Sequence, residues 1–400
     1  MNPIELAGLA DGAEPLRRDG RQHAVIATSA PASPSRSRGA VAPPERTSVM
    51  SLDELAEDDA RIRAASGRPP VEAVMDLALA YLPSRALHVA ANLGIADLLA
   101  DGPRAVQELA AEVQVHALSL ERLLRTLAMH GVFAETEDGR YTLTPPAALL
   151  RTGALQAAVK FAGDLTGDGS WWSTVGCLGD AVATGTPSFE HVHGARFFEY
   201  IADKPQLARW FGDGMANISA AENPAIAAAY DFAGFGHVVD VGGGRGGFLA
   251  EILRRAPDAR GTLFDPPDAA AHPAGLTNID TSRWRAVSGD FFASVPAGAD
   301  AYVLKRVIHD WDDDDSLRLL RTCRAALRDD ARLLVIDAVL PPGSQPHPAK
   351  VLDLLMMAST TGRERTQAEL TDVLERAGLR ITRIVPTPTT LSIIEATPIR

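Results

Sequence analysis

From about Pro70 the chain carries two rhythms of apolar and polar positions. VEAVMDLALAYL and SRALHVAANLGIADLL set Val74, Leu77 and Tyr81, then Leu87, Ala91, Leu93, Leu98 and Leu99 at helical spacing. VQELAAEV and LSLERLLRTLAMHGVF continue the pattern, and the latter helix is expected to stop near Gly131. FAETEDGRYTLT then alternates around Asp138-Gly139, a hairpin signal. Helices followed by a small hairpin predict a winged-helix-like unit over 67–150. Residues 151–230 read as further helix with clustered aromatics: Trp171, Trp172, Phe197, Phe198, Tyr200, Trp210 and Phe211.

Beyond Gly236 the period shortens. Strands are predicted at 237–241, 262–265, 284–288, 301–305, 332–339, 380–385 and 391–396. Between them lie FLAEILRRA, then SLRLLRTCRAAL with Leu317, Leu320, Cys323 and Leu327 on one face, then QAELTDVLERAG with Leu370, Val373, Leu374 and Ala377. Apolar strands alternating with amphipathic helices predict a doubly wound α/β domain over 231–400. The last two strands are joined by PTPTT, which leaves no room for a helix, so they should pair antiparallel at one edge. Seven strands with one antiparallel member is the arrangement of a methyltransferase-type Rossmann sheet.

Residues 1–66 are rich in Ala, Pro, Ser, Arg and Gly, as in SPSRSRG, and are expected to be a disordered extension, because they bury too little apolar surface to offset chain entropy. Met50, just before SLDELAEDDARI, is an alternative start. The net charge of −12 argues against a surface that tracks phosphates. The helix of the winged unit that would read DNA, about 119–129, holds Arg122 and Arg125 as its cations, so a dimerisation or scaffold role fits better than nucleic-acid contact. Two cysteines, Cys177 and Cys323, give no disulfide framework and suit a reducing compartment. No stretch reaches the roughly 18 apolar residues of a membrane span, and no secretory leader is evident. A cytoplasmic protein with no membrane partner is expected.

The sharpest motif is VVDVGGGRGG, residues 238–247, an apolar strand running through glycines into a helix. Glycines let backbone approach a ligand, and the helix start offers free N–H groups. Gly242, Gly244 and Gly247 satisfy G-x-G-x-x-G, which by itself also suits a nicotinamide cofactor. Asp240, two residues earlier, suits a ligand bearing an ammonium and a sulfonium and would oppose a pyrophosphate. Asp265 ends the next strand, where a carboxylate can accept both ribose hydroxyl protons. Asp290 and Phe291 of GDFF follow the third strand and offer a carboxylate and an aromatic face to an adenine.

KRVIHDWDDDD, residues 305–315, follows the fourth strand and puts His309 at the same crevice. A phenol with a pKa near 10 is a weak nucleophile at neutral pH, and a neutral imidazole can take its proton during attack. The run Asp312–Asp315 lacks the glycine and terminal glutamate of a calcium loop; capping the following helix explains it better, and no metal is expected.

VVDVGGGRGG, LFDPP, GDFF, LKRVIHDWDDDD, LLVIDAVLP and TTGRERTQAEL occur in the order of the hydroxyindole/caffeate-type O-methyltransferases, and the chain resembles that family's bacterial members that modify antibiotics and aromatic polyketides. The likeness spans about residues 70–400. It implies S-adenosylmethionine as cofactor and a homodimer formed through intertwined N-terminal helices. It matches Gly242, Asp265, Asp290, Phe291 and Lys305 to cofactor-contacting positions and His309 to the catalytic base. Asp337, where many members have Glu, and Glu364 match the acids that flank the base. Trp172, Phe211, Met215, Met356 and Met357 match the substrate wall. The expected reaction is methyl transfer to a hydroxyl of a small aromatic metabolite such as a polyketide, quinone, phenol or indole. The alternatives are a nicotinamide-dependent oxidoreductase, an S-adenosylmethionine-dependent enzyme that does not methylate, and a ligand-sensing winged-helix regulator.

Overall fold

The computed structural model describes residues 69–267 and 272–400, so the expected disordered extension and the alternative start at Met50 lie outside the described residues. The first helices are Pro70–Leu79 and Tyr81–Asn92, broken at Ala80, followed after the left-handed Gly94 by the short helix Ile95–Leu98. Val106–Glu112 and Ala117–Met129 complete the helical unit, and Gly131, in the left-handed region, ends the last of them as expected. Strands β1 (Phe133–Glu135) and β2 (Tyr141–Leu143) form the antiparallel hairpin around Gly139. Leu109, Leu124, Leu127, Phe133 and Tyr141 are buried in this unit's core. Val71, Val74, Met75, Leu77, Leu79, Tyr81 and Leu82 do not join that core; they form an exposed apolar face on the first two helices.

Residues 154–228 are helical, ending in Pro205–Ala228, a rod of 24 residues. The sheet follows: β3 (His237–Val241), β4 (Arg260–Asp265), β5 (Trp284–Ser288), β6 (Ala301–Lys305), β7 (Arg332–Leu340), β8 (Arg365–Thr366), β9 (Leu379–Pro386) and β10 (Leu391–Pro398). Its order is β5-β4-β3-β6-β7-β10-β9. Strands β3 to β7 run parallel; β10 runs against both β7 and β9, so the antiparallel member lies one place in from the edge. The two-residue β8 is an addition, parallel to the far end of β7.

Alternate residues of the strands feed two cores, as period 2 requires. Val239, Val241, Tyr302, Leu304, Leu333 and Val335 pack with the helices Asp313–Ala326 and Gln367–Arg376. Val238, Leu263, Val303, Leu334 and Ile336 pack on the other face with the helix Gly247–Arg255. Both faces are covered, which is why these strands read as continuous apolar runs. A further helix, Ala349–Ser359, lies between β7 and β8. Among the described residues no helix is long and apolar enough to cross a membrane.

Leu334 is fully buried at the centre of β7, between β6 and β10. Leu334→Ala is expected to cost ~2–5 kcal/mol and to lower the thermal transition by roughly 5–10 °C, read by scanning calorimetry.

Candidate active site

The glycine turn sits at the C-terminal end of β3. Gly242 has φ +70°, and a Cβ on it would meet Val307 Cγ2 at 2.9 Å and Phe291 Cε1 at 3.9 Å. The missing side chain therefore lets the turn pack closely against the loop after β6, with the aromatic ring after β5 alongside. Gly244, at φ +55°, has nothing within 4 Å of a Cβ, and its N–H donates to Asp265 Oδ2 at 2.8 Å. Gly246 caps the helix Gly247–Arg255 without a side-chain acceptor, and the Leu249 N–H in its first turn is directed at the Asp240 carboxylate.

Two acids meet under this turn. Asp240 is buried, and its Oδ2 finds no hydrogen-bond partner among the described residues. Burial, reinforced by the nearby Asp265 carboxylate, pushes Asp240 up to about 7. Burial likewise raises Asp265 to about 6 despite the Gly244 N–H. Both carboxyls are thus short of positive charge. Asp290 accepts the N–H of Phe292 at 2.8 Å, which shapes the turn that presents Phe291. Lys305, at the end of β6, is buried and donates to Ser219 Oγ at 3.1 Å and Glu222 Oε1 at 2.8 Å, both on the long helix. Burial lowers its pKa against the pull of Glu222.

His309 lies in a single 3-10 turn, Ile308–Asp310, just beyond β6. The ring is buried; Nδ1 meets Glu364 Oε1 at 2.9 Å and Nε2 lies 3.7 Å from Asp310 Oδ1. With Nδ1 held by a carboxylate, Nε2 is the nitrogen left for chemistry. Burial disfavours the imidazolium, yet Asp310, Asp337 and Glu364 together outweigh it and raise His309 to about 9. Burial raises Asp337 to about 7 and Asp310 to about 6. Neither oxygen of Asp337, nor Glu364 Oε2, has a hydrogen-bond partner among the described residues. Protons in this cluster belong to the group of four rather than to one residue. The Asp312 side chain caps the following helix by accepting the Asp315 N–H at 2.9 Å, the role expected for that acidic run.

The expected wall residues divide. Phe211 stands edge-on to Phe161, Phe197 and Phe198 at 5.7, 5.3 and 6.1 Å, in an apolar cluster that also takes in Met215, Leu355 and Ala358. Met356, buried, and Met357, partly buried, lie on the same helix as Leu355 and Ala358. Phe198 stacks on Trp311 at 5.5 Å, which carries this cluster to the His309 loop. Trp172 instead packs toward the N-terminal unit: its ring lies 6.1 Å from His88 and under the Arg85 guanidinium, and its Nε1 donates to the Gly163 carbonyl at 3.0 Å. It touches the wall helices indirectly, through Ala154–Gly163.

Three functional residues escaped the sequence reading. Asp310 was hidden beside the acidic run. Arg306, at φ +54°, makes a two-pronged pair with Glu222, Nε to Oε1 at 2.9 Å and Nη2 to Oε2 at 3.0 Å. Its charge also faces Asp337 and Glu364. Nothing local marks a pair separated by more than eighty residues; the basic dipeptide at the end of β6 was the available signal.

Comparison with known proteins places the chain. Residues 75–153 match an O-methyltransferase dimerisation domain and residues 175–380 an O-methyltransferase domain. The phenazine O-methyltransferase of Lysobacter antibioticus is 39% identical over 84% of this chain and 98% of its own. The phenazine-1-carboxylate N-methyltransferase of Pseudomonas aeruginosa is 36% identical over 76% of this chain and 90% of its own. The crystal structure of an O-methyltransferase from neocarzinostatin biosynthesis, in complex with S-adenosylmethionine and 2-hydroxy-5-methyl naphthoic acid, superposes with a TM-score of 0.68 at 35% identity, covering 80% of this chain and 96% of that one. The chain belongs to the S-adenosylmethionine-dependent O-methyltransferase family.

Proposed function

We propose that the protein transfers a methyl group from S-adenosylmethionine to a hydroxyl of a small aromatic secondary metabolite, with His309 as general base and without a metal. The observation that carries this reading is the buried His309–Glu364 pair just beyond β6, the parallel neighbour of the strand that ends in the glycine turn. The cofactor fits the residues present: Asp240 and Asp265 are buried acids whose burial Lys305 and Arg245 do not offset, and a cationic ligand is what such a pair favours. Gly242, Gly244, Asp240, Asp265, Asp290, Phe291 and Lys305 would hold it. When bound, it supplies a methyl carbon made electrophilic by the sulfonium charge.

The remaining work falls to the chain. His309 Nε2 takes the hydroxyl proton as the oxygen attacks, while Glu364 at Nδ1 fixes the tautomer and stabilises the imidazolium that forms. Asp337 and Asp310 raise the proton affinity of the ring toward that of a phenol, so the transfer is nearly balanced. Their excess negative charge also means that a nearby cation lowers the imidazole pKa and frees the base. Phe211, Met215, Met356 and Met357, with Trp172 further out, would enclose a flat apolar acceptor. A second reading, an amine acceptor, is favoured by the N-methyltransferase relative; a neutral amine needs no base. The exposed face of the first two helices, within the match to a dimerisation domain, supports a homodimer.

His309→Gln should cut turnover on a panel of phenolic naphthoates and hydroxyphenazines by about 10²- to 10⁴-fold and leave S-adenosylhomocysteine affinity within a few-fold. Full activity in that variant would point to an amine acceptor. In the parent enzyme the rate should rise with pH toward 9, as His309 loses its proton, and the rise should vanish in His309→Gln. Because Asp240 and Asp265 ionise near 7 and 6, protons compete with a cationic ligand below those values. Calorimetry should therefore show S-adenosylmethionine binding about tenfold more weakly at pH 5.5 than at 7.5, a range in which the ligand's own ammonium changes little. Val74→Lys with Leu77→Lys should yield a monomer by light scattering.

A further inference from the structure

The segment 362–366 meets the His309 loop in three ways. A side chain at Gly362 would run into the His309 carbonyl oxygen, so the two backbones pack directly against each other. Glu364 reaches Nδ1 of the ring. Arg365, which is 2% exposed, turns the other way, into the peptides of the loop. Its Nη1 donates to the Ile308 carbonyl at 2.9 Å and its Nη2 to the Trp311 carbonyl at 2.9 Å. These two peptides bracket His309. The remaining donors go to Asp313 Oδ1, 3.0 Å from Nε and 2.8 Å from Nη2, and to Ser316 Oγ at 3.0 Å. The Ser316 hydroxyl in turn shares its proton between the same two carbonyls, at 3.2 and 3.1 Å.

The loop cannot hold this shape unaided. One 3-10 turn has poor internal hydrogen bonding, and the backbone enters it through Arg306 in the left-handed region. A buried ion pair such as Arg365–Asp313 adds little net stability, because desolvation offsets the attraction. All three guanidinium nitrogens, held in one rigid plane, donate here, which instead defines a geometry that a lysine cannot reproduce.

We propose that Arg365 is a positioning residue for His309, its guanidinium fixing the Ile308 and Trp311 carbonyls so that the imidazole stays seated on Glu364. The proposal rests on the reading of His309 as base. Besides Glu364, the charged groups facing the ring are Asp310 beside it, Arg306 before the loop and Asp337 on β7. If the loop drifts, the ring loses these close carboxylates and its proton affinity falls. A 1 Å displacement of a catalytic group can cost about 10²-fold in rate.

The test is an NMR titration of histidine-labelled protein saturated with S-adenosylhomocysteine, with His309→Gln identifying the signal among the ten histidines. In the parent protein His309 should titrate well above 6.5. In Arg365→Lys, which keeps a buried cation but not the planar fork, the midpoint should fall by about one pH unit or more while S-adenosylhomocysteine affinity stays within about threefold. An unmoved titration in the folded variant overturns the proposal; so does loss of ligand affinity in step with the thermal transition, which would make Arg365 a general stabiliser. If Arg365→Lys does not fold, Ser316→Ala, which loosens the same two carbonyls without changing charge, should shift His309 in the same direction, and no shift there overturns the proposal. An active His309→Gln enzyme would sink the base reading and leave the titration result standing, so the two failures are distinguishable.

Discussion

The cost of holding negative charge at the end of an apolar sheet governs this molecule. Asp240, Asp265, Asp310, Asp337 and Glu364 are all buried or nearly so, the first two near the ends of β3 and β4, Asp310 beyond β6, Asp337 within β7 and Glu364 just before β8, around strands whose other residues form two continuous cores. Water is excluded, so each carboxyl must find a proton, a cation or a donor. The protein supplies Gly244 to one, His309 to another and Arg306 at longer range, and leaves the rest unmet. That deficit appears as raised proton affinity, at the His309 imidazole and at the Asp240 and Asp337 carboxyls alike.

The sheet was largely legible in the sequence because its central strands β3, β4, β6 and β7 are covered on both faces. The runs at 237–241, 284–288 and 301–305 coincide with β3, β5 and β6, and the other four are each extended by one or two residues in all. The short PTPTT loop correctly required an antiparallel pair. The place of β10 inside β9 does not follow from loop length, since either order satisfies a hairpin. The two residues of β8 carry no period to detect. The helix Ala349–Ser359 was missed because Met356 and Met357 drew attention as wall residues rather than as members of a helical repeat.

The site divides in the same way. Residues set by local geometry, the glycine turn and the strand-end acids, could be read one at a time. Residues that act through distant partners could not. Glu222 means nothing until β6 brings Lys305 and Arg306 to it, and Asp310, outside the capping run Asp312–Asp315, gains a partner only when the fold turns it toward the ring. Trp172, matched to the wall by resemblance, packs toward the N-terminal unit, where His88 and Arg85 lie against its ring, a contact that no local pattern announces.

The helix Pro205–Ala228 carries two duties along its middle: Phe211 and Met215 sit in the aromatic cluster, and Ser219 and Glu222, one to two turns further on, grip the close of β6. From Phe211 to Glu222 is about 17 Å along the axis, so whatever displaces the aromatic end of this stretch also pulls Glu222 against two cations. The helix Ala349–Ser359, which shares the cluster through Leu355 and Ala358, is tied down as well, since its Asp353 accepts the Glu364 N–H at 2.9 Å. Aromatic packing and the charge network are thereby coupled through two helices.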